Sequence, residues 1–202
     1  MAEVIKVYFD FKSPYSYLAV DPALALTNDY DVSLRWIPFS IPVPDMAERD
    51  KYGVRRVRYL YRDARRWGNR RGGLTIKGPR KIYDSRPALI GSLFAERHGF
   101  HADYLREVFR RFFERALEID EPQAVATVLG EVGGAPGLAT DFHAFACGPG
   151  AALFEQGMEE ADADEVFGVP TFVVRDELFW GQDRIPMLGW HLEQWGLRRQ
   201  PR

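Results

Sequence analysis

EVIKVYFDFKSPYSYLAV, residues 3–20, passes from β-branched and aromatic residues directly into Ser13-Pro14-Tyr15-Ser16. Residues 4–11 have the make-up of a central strand. Ser13 suits the N-cap of a following helix, and Pro14 suits its first turn, where a missing N–H leaves no helical bond unmade. The helix is expected to run on through YSYLAVDPALALTN, with a kink or restart at Pro22. DVSLRWIPF, residues 31–39, then reads as a second strand parallel to the first, which makes a right-handed β-α-β unit. Ser13 and Ser16 keep the spacing of a Cys-x-x-Cys redox loop, with a hydroxyl in place of each thiol.

From Ile41 to about residue 165 the pattern turns helical. Apolar residues at helical spacing, Asp/Ser or Asp/Pro starts and glycine stops predict helices over 53–69, 84–99, 102–117, 120–134 and about 150–161. In the first of these, Val54, Val57, Tyr61 and Ala64 share a face. Arg55, Arg58, Arg62, Arg65 and Arg66 spread over the rest, as a solvated surface would. Tyr59, Tyr61 and Trp67 sit at helical spacing and read as packing. Residues 169–174 (VPTFVV) and 177–180 (ELFW) then predict a short hairpin around Arg175-Asp176, followed by a C-terminal helix over 183–196. The order βαβ, long helical stretch, ββα is α/β: a thioredoxin-like fold interrupted by a long all-helical insertion. Residues 1–40 and 166–202 would form the thioredoxin-like domain, and 41–165 the helical insertion subdomain.

A chain of 202 residues, 46% hydrophobic, can bury one good core. Its net charge of −2 exerts no general pull toward nucleic acid or an anionic membrane, and no apolar run approaches the roughly 20 residues of a membrane span. The N-terminus lacks the pattern of a secretory signal, so a cytoplasmic setting is expected. Cys147 is the only cysteine; an intrachain disulfide is impossible, and two-electron dithiol exchange within the chain is excluded. Cys147, in HAFACGPG, reads as a small buried hydrophobe.

Ser13 stands where a strand hands over to a helix N-terminus, a place that favours an anion, although Ser-Pro is also ordinary helix-start chemistry. Val169-Pro170 precedes a strand, as does the cis-proline loop of redox proteins of this fold. That loop lies beside the helix N-terminus and presents its backbone to an extended thiol substrate. Asp183 fits either an N-cap of the last helix or a ligand contact, and Trp180 either core packing or a pocket wall. His98, His101, His143 and His191 lack ligand-like spacing, so no metal site is expected, and neither nucleotide-binding glycine pattern occurs.

FDFKSPYSYLA, EVFGVPTFVV and LFWGQDRIPML together resemble the 2-hydroxychromene-2-carboxylate isomerases and their relatives, the kappa-class glutathione transferases. VRYLYRDARRWGNRRGGL resembles the first insert helix of that family. The resemblance implies glutathione as cofactor and answers the puzzle of the missing thiols, because a borrowed sulfur needs only a hydroxyl and a helix N-terminus to stay ionised. By the same resemblance Ser13 is that donor, and the backbone at Val169-Pro170 pairs with the tripeptide as an added strand. Gln182 and Asp183 follow the Phe-Trp-Gly step, with Asp183 toward the γ-glutamyl ammonium and Arg184 near its carboxylate. Trp180 would wall the pocket. Family members commonly carry Gly-Asn-x-Pro-Pro and a lysine before the insert helix; here the region reads VPDMAERDKYGVRR, and Arg56 falls near the lysine position. The implied activity is isomerisation of an unsaturated aromatic carboxylate. A kappa-type transferase or a non-catalytic thioredoxin-like binding protein is the alternative. A small-molecule electrophile and a second copy of the chain are the expected partners.

Overall fold

A computed structural model describes residues 2–42 and 50–200. The first half of the stretch that departs from the Gly-Asn-x-Pro-Pro pattern, 43–49, lies outside the described residues. Four strands form one mixed sheet in the order β2-β1-β3-β4. β1 (Glu3–Phe9) pairs parallel with β2 (Val32–Pro38), Val7 opposite Trp36. On its other side β1 runs antiparallel to β3 (Thr171–Val174), which turns through Arg175-Asp176 into antiparallel β4 (Glu177–Trp180). The crossover between β1 and β2 is α1 (Pro14–Asp29). Between β2 and β3 come α2 (Lys51–Arg70), α3 (Arg86–Arg97), α4 (His101–Glu114), α5 (Pro122–Gly133), α6 (Leu138–Cys147) and α7 (Pro149–Ala163). After β4 a 3-10 turn, Gln182–Arg184, leads into α8 (Ile185–Gln194).

Period-two alternation explains how β1 serves two faces. Ile5, Val7 and Phe9 enter the larger core with residues of α1, α3–α6 and α8, while Tyr8 joins Ile37, Val173 and Ala161 on the opposite face, under α7. On the larger side Tyr17 stacks on Phe109 and Phe113 at 5.4 and 5.5 Å, which fastens α1 to α4. Each such buried ring contributes about 2 kcal/mol of transfer free energy. The end of α1 that carries Ser13 is thereby held on a rigid base.

The structure differs from the sequence expectations in several places. α6 was not anticipated: it starts after Gly137, at φ 88°, without a side-chain cap, and runs through Gly148 directly into α7, so neither end carries the usual signals. Cys147 is exposed at the end of α6 rather than buried, because Phe142 and Phe145 take the inward positions of that helix. Pro22 starts no new helix, since α1 is continuous from Pro14 to Asp29. A proline at position 22 leaves the carbonyl four residues earlier, that of Leu18, without its helical donor. Arg71 supplies one in its place.

Candidate active site

The turn between β1 and α1 is shaped by Asp10, whose carboxylate is fully buried. It accepts the Lys12 N–H at 2.9 Å and, across the cleft wall, the Ile41 N–H at 2.7 Å, with Lys12 Nζ at 3.4 Å. Burial pushes this carboxyl upward, against the pull of Lys12 and the two amides. Lys12 Nζ also donates to the Ile41 carbonyl at 2.9 Å. Asp10 therefore sets the Lys12–Ser13 turn and pins the segment leaving β2 to it. The sequence reading passed over Asp10, since a carboxylate at a strand end carries no motif.

Ser13 is the N-cap of α1, as its position predicts, and is only 6% exposed. Its Oγ accepts the Ser16 N–H at 3.1 Å and donates to the Val169 carbonyl at 3.2 Å. The Val169–Pro170 bond is cis. The two sequence sites thus meet at one point. The Tyr17 N–H goes to the Ser13 carbonyl, and Pro14 has none, so the amide of the first turn without a partner among the described residues is that of Tyr15. The Val169 N–H likewise makes no hydrogen bond among the described residues. Ser16 is buried, and its Oγ has no hydrogen-bond partner among the described residues.

A cleft of about 1000 Å³ opens from this point. Ser13, Val169, Trp180, Gln182, Asp183, Arg184 and Arg56 all border it. Gly181, at φ 113°, donates its N–H to the Pro170 carbonyl at 2.8 Å, which locks the 180–184 segment to the proline loop. Trp180 is 53% exposed and meets Phe167 edge to face at 4.9 Å, so it is a rim residue rather than core. Gly168 is needed beneath it, since a Cβ there would come within 2.8 Å of the indole nitrogen. Gln182 is buried and accepts from Arg71, the same guanidinium that serves Leu18. Asp183 makes no cap bond to the last helix; it is half exposed, with Arg184 at 3.7 Å.

α2 forms the facing wall. Its stripe of Val57, Leu60 and Tyr61 faces the cleft, and Tyr59, expected to pack, is exposed and borders it as well. Asp63 and Tyr15 were missed. The Tyr15 hydroxyl donates to Asp63 at 2.9 Å, and burial, this bond and the nearby charges of Asp63 and Asp183 push the phenol upward. An Asp seven residues after Arg56, on the same helix face, was the available signal. Among the described residues no group of histidine, cysteine and carboxylate side chains could hold a metal, and no helix is long and apolar enough to cross a membrane.

A β-α-β unit and a hairpin joined by a helical insertion, with a cis-proline loop against the first helix N-terminus, define a protein of thioredoxin-like fold. Residues 4–193 match the DSBA-like thioredoxin domain, and the chain belongs to that family. It is 27% identical over 190 residues to a 2-hydroxychromene-2-carboxylate isomerase of Pseudomonas putida, a match covering 92% of each chain. It is 25% identical over 195 residues to the protein of that name from Sphingobium xenophagum, covering 93% and 97%. A solved 2-hydroxychromene-2-carboxylate isomerase superposes with a TM-score of 0.79 at 26% identity, over 96% of each chain. The cytosolic disulfide reductase DsbM of Pseudomonas aeruginosa shares the fold, with a TM-score of 0.70 at 20% identity over 95% and 99%.

Proposed function

We propose that this chain is a glutathione-dependent isomerase of an unsaturated aromatic carboxylate. The observation that carries the reading is the Ser13 hydroxyl, 3.2 Å from the Val169 carbonyl at the head of a cleft that can hold a tripeptide and a second molecule. The names of the relatives at 25–27% identity support the same class of reaction.

The residues present fit glutathione group by group. The Tyr15 N–H and the Ser13 O–H are donors for a sulfur anion, once the hydroxyl turns from Val169. The Val169 N–H suits the peptide backbone of the tripeptide, in the manner of an added strand. Asp183, with Asp63 behind Tyr15, suits the ammonium, while Arg56 and Arg184 suit the two carboxylates. When bound, glutathione would supply a thiolate that adds reversibly to an unsaturated carbon of the substrate, so that a double bond becomes a rotatable single bond before the sulfur leaves. A free thiol titrates near about 8.5, and each unit by which the site lowers it requires about 1.4 kcal/mol of preference for the anion. A charge-assisted hydrogen bond from Ser13 together with the dipole of α1 is of that size.

The test is calorimetric titration of glutathione into the wild type and Ser13→Ala, with the pKa of the bound thiol followed by thiolate absorbance. Binding with a lowered thiol pKa in the wild type, lost in Ser13→Ala, is the expected result. No binding up to about 10 mM, weaker than roughly −3 kcal/mol, overturns the reading and leaves a non-catalytic binding domain.

A further inference from the structure

Three elements supply every glutathione contact named above: the α1 N-terminus, the loop-and-turn pair 168–170 and 180–184, and α2. Apart from Lys12 and Ile41, the rest of the cleft wall is the loop from Gly78 to Tyr83 with Phe112 of α4 behind it. This wall is left for the second molecule. Ile82, Tyr83 and Phe112 give it an apolar surface, and Tyr83 meets Phe112 edge to face at 5.2 Å.

The loop is rich in cations, and nearly all of them are spoken for. Lys77 donates to the Glu114 carbonyl at 3.2 Å, and Arg115 reaches back to the Gly78 carbonyl at 2.8 Å. Lys81 pairs with Asp120 at 2.7 Å and with Glu118 at 3.5 Å, and lies over the Tyr83 ring. Arg80, between them, has no ion pair or hydrogen bond with any described residue, yet it borders the cleft. Its anchored neighbours fix the backbone that presents it. Of the five basic side chains around the cleft, Lys12 and Lys81 are paired with Asp10 and with Asp120 and Glu118, which leaves Arg56, Arg80 and Arg184 against Asp63 and Asp183. The chain as a whole carries −2. The excess of positive charge is therefore a local property of this cavity, and clefts with low-dielectric walls concentrate such a field on an anionic ligand.

From this we infer that Arg80 is the residue that selects the electrophilic substrate by its carboxylate, gripping that group while the ring lies on Ile82, Tyr83 and Phe112. The inference rests on the reading of the cleft as a two-molecule site. A guanidinium can meet a carboxylate with two parallel hydrogen bonds, which a lysine ammonium cannot. Arg80 is exposed to solvent, so the gain is at the modest end of charge-assisted bonds, about tenfold in affinity.

The experiment uses two isosteric probes, trans-cinnamate and trans-cinnamamide, titrated into the full chain without glutathione and read by calorimetry. The wild type should bind cinnamate about tenfold more tightly than the amide, and less so at high salt. Arg80→Gln should lose that preference while keeping affinity for the amide, and Arg80→Lys should retain part of it. Arg58→Gln, on the outer side of α2, should behave as wild type. An Arg80→Gln variant that keeps the preference, or a wild type that binds the two probes equally or not at all, overturns the inference. Glutathione is titrated separately into wild type and Arg80→Gln. Unchanged glutathione binding with no cinnamate preference sinks the role of Arg80 alone, and cinnamate preference without glutathione binding sinks the proposed cofactor alone.

Discussion

The Arg71 guanidinium donates to the Leu18 carbonyl, the acceptor in α1 that Pro22 deprives of its helical donor. The same side chain holds the buried Gln182 on the cleft. A proline in one helix, an arginine after the next and a glutamine of the site thus form one unit. Replacing Arg71 with Met leaves a buried carbonyl and a buried amide oxygen without partners and should cost about 1–3 kcal/mol of unfolding free energy. Pro22→Ala restores an N–H beneath Leu18, so the cost of Arg71→Met should shrink in that background. A double-mutant cycle by urea denaturation measures the coupling. Strict additivity would refute the link.

Ser13 and Ser16 occupy one turn of α1 with the spacing of a dithiol, and the Ser16 hydroxyl is buried without a partner among the described residues. Ser16→Ala should therefore be neutral or slightly stabilising, since a polar group with no bond is removed. The double variant Ser13→Cys/Ser16→Cys should form an intrachain disulfide under air. Its reduced Cys at 13 should titrate well below the usual 8.5 or so, because the helix N-terminus favours the anion. Thiol titration and mass spectrometry check both, and a thiol pKa at or above the free value would remove the case for an anion site.

The ends of the fold were legible because local signals agreed there. Strand composition, Ser-Pro at a helix start and Val-Pro before a strand each pointed to the same juncture, and the structure joins Ser13 to Val169. The middle was less so. α6 begins on Gly137 and ends on Gly148, which it shares with α7, and its apolar residues alone do not distinguish an outward Cys147 from a buried one. Asp10, Asp63 and Arg71 act through partners 31, 48 and 53 positions away, separations that no local periodicity records. Tyr59 was misread for the same reason: α2 turns part of its apolar stripe to a cleft, and helical spacing looks alike whichever surface it faces.

Gly181 stands at φ 113°, and a Cβ there would come within 2.6 Å of Asp183 Oδ1. Gly181→Ala forces both a strained backbone and a displaced Asp183, and should cost about 1–3 kcal/mol in stability. On the proposed reading it also weakens glutathione binding several-fold, and the loss should fall on glutathione more than on its desamino analogue, which lacks the ammonium. Equal losses for the two ligands would detach Asp183 from ammonium recognition.

Away from the cleft, β1 and β2 are tied to α7 by an ionic network. Lys6 reaches Asp164 at 2.7 Å and Glu160 at 2.9 Å, Arg35 grips Glu160, and the Tyr8 hydroxyl donates to Asp164 at 2.6 Å. Partial burial pushes the Asp164 carboxyl up, but the hydrogen bonds from Lys6 and Tyr8 and the charges of Lys6 and Arg35 outweigh it and hold it below its ordinary range. For Glu160, burial is outweighed in the same way by Arg35 and Lys6. Folded carboxyls held below their unfolded values bind fewer protons than the unfolded chain does. Their contribution is therefore complete above about pH 4–4.5 and is lost as pH falls through the lowered values. Lys6→Met keeps the aliphatic stem and removes the charge. It should cost about 1 kcal/mol at pH 7, discounted for the partial exposure of the pair, and less near pH 3, on the way down through the lowered carboxyl values. Urea unfolding of both proteins at the two pH values measures the difference; the same loss at each would mean that Lys6 acts through packing and not through charge.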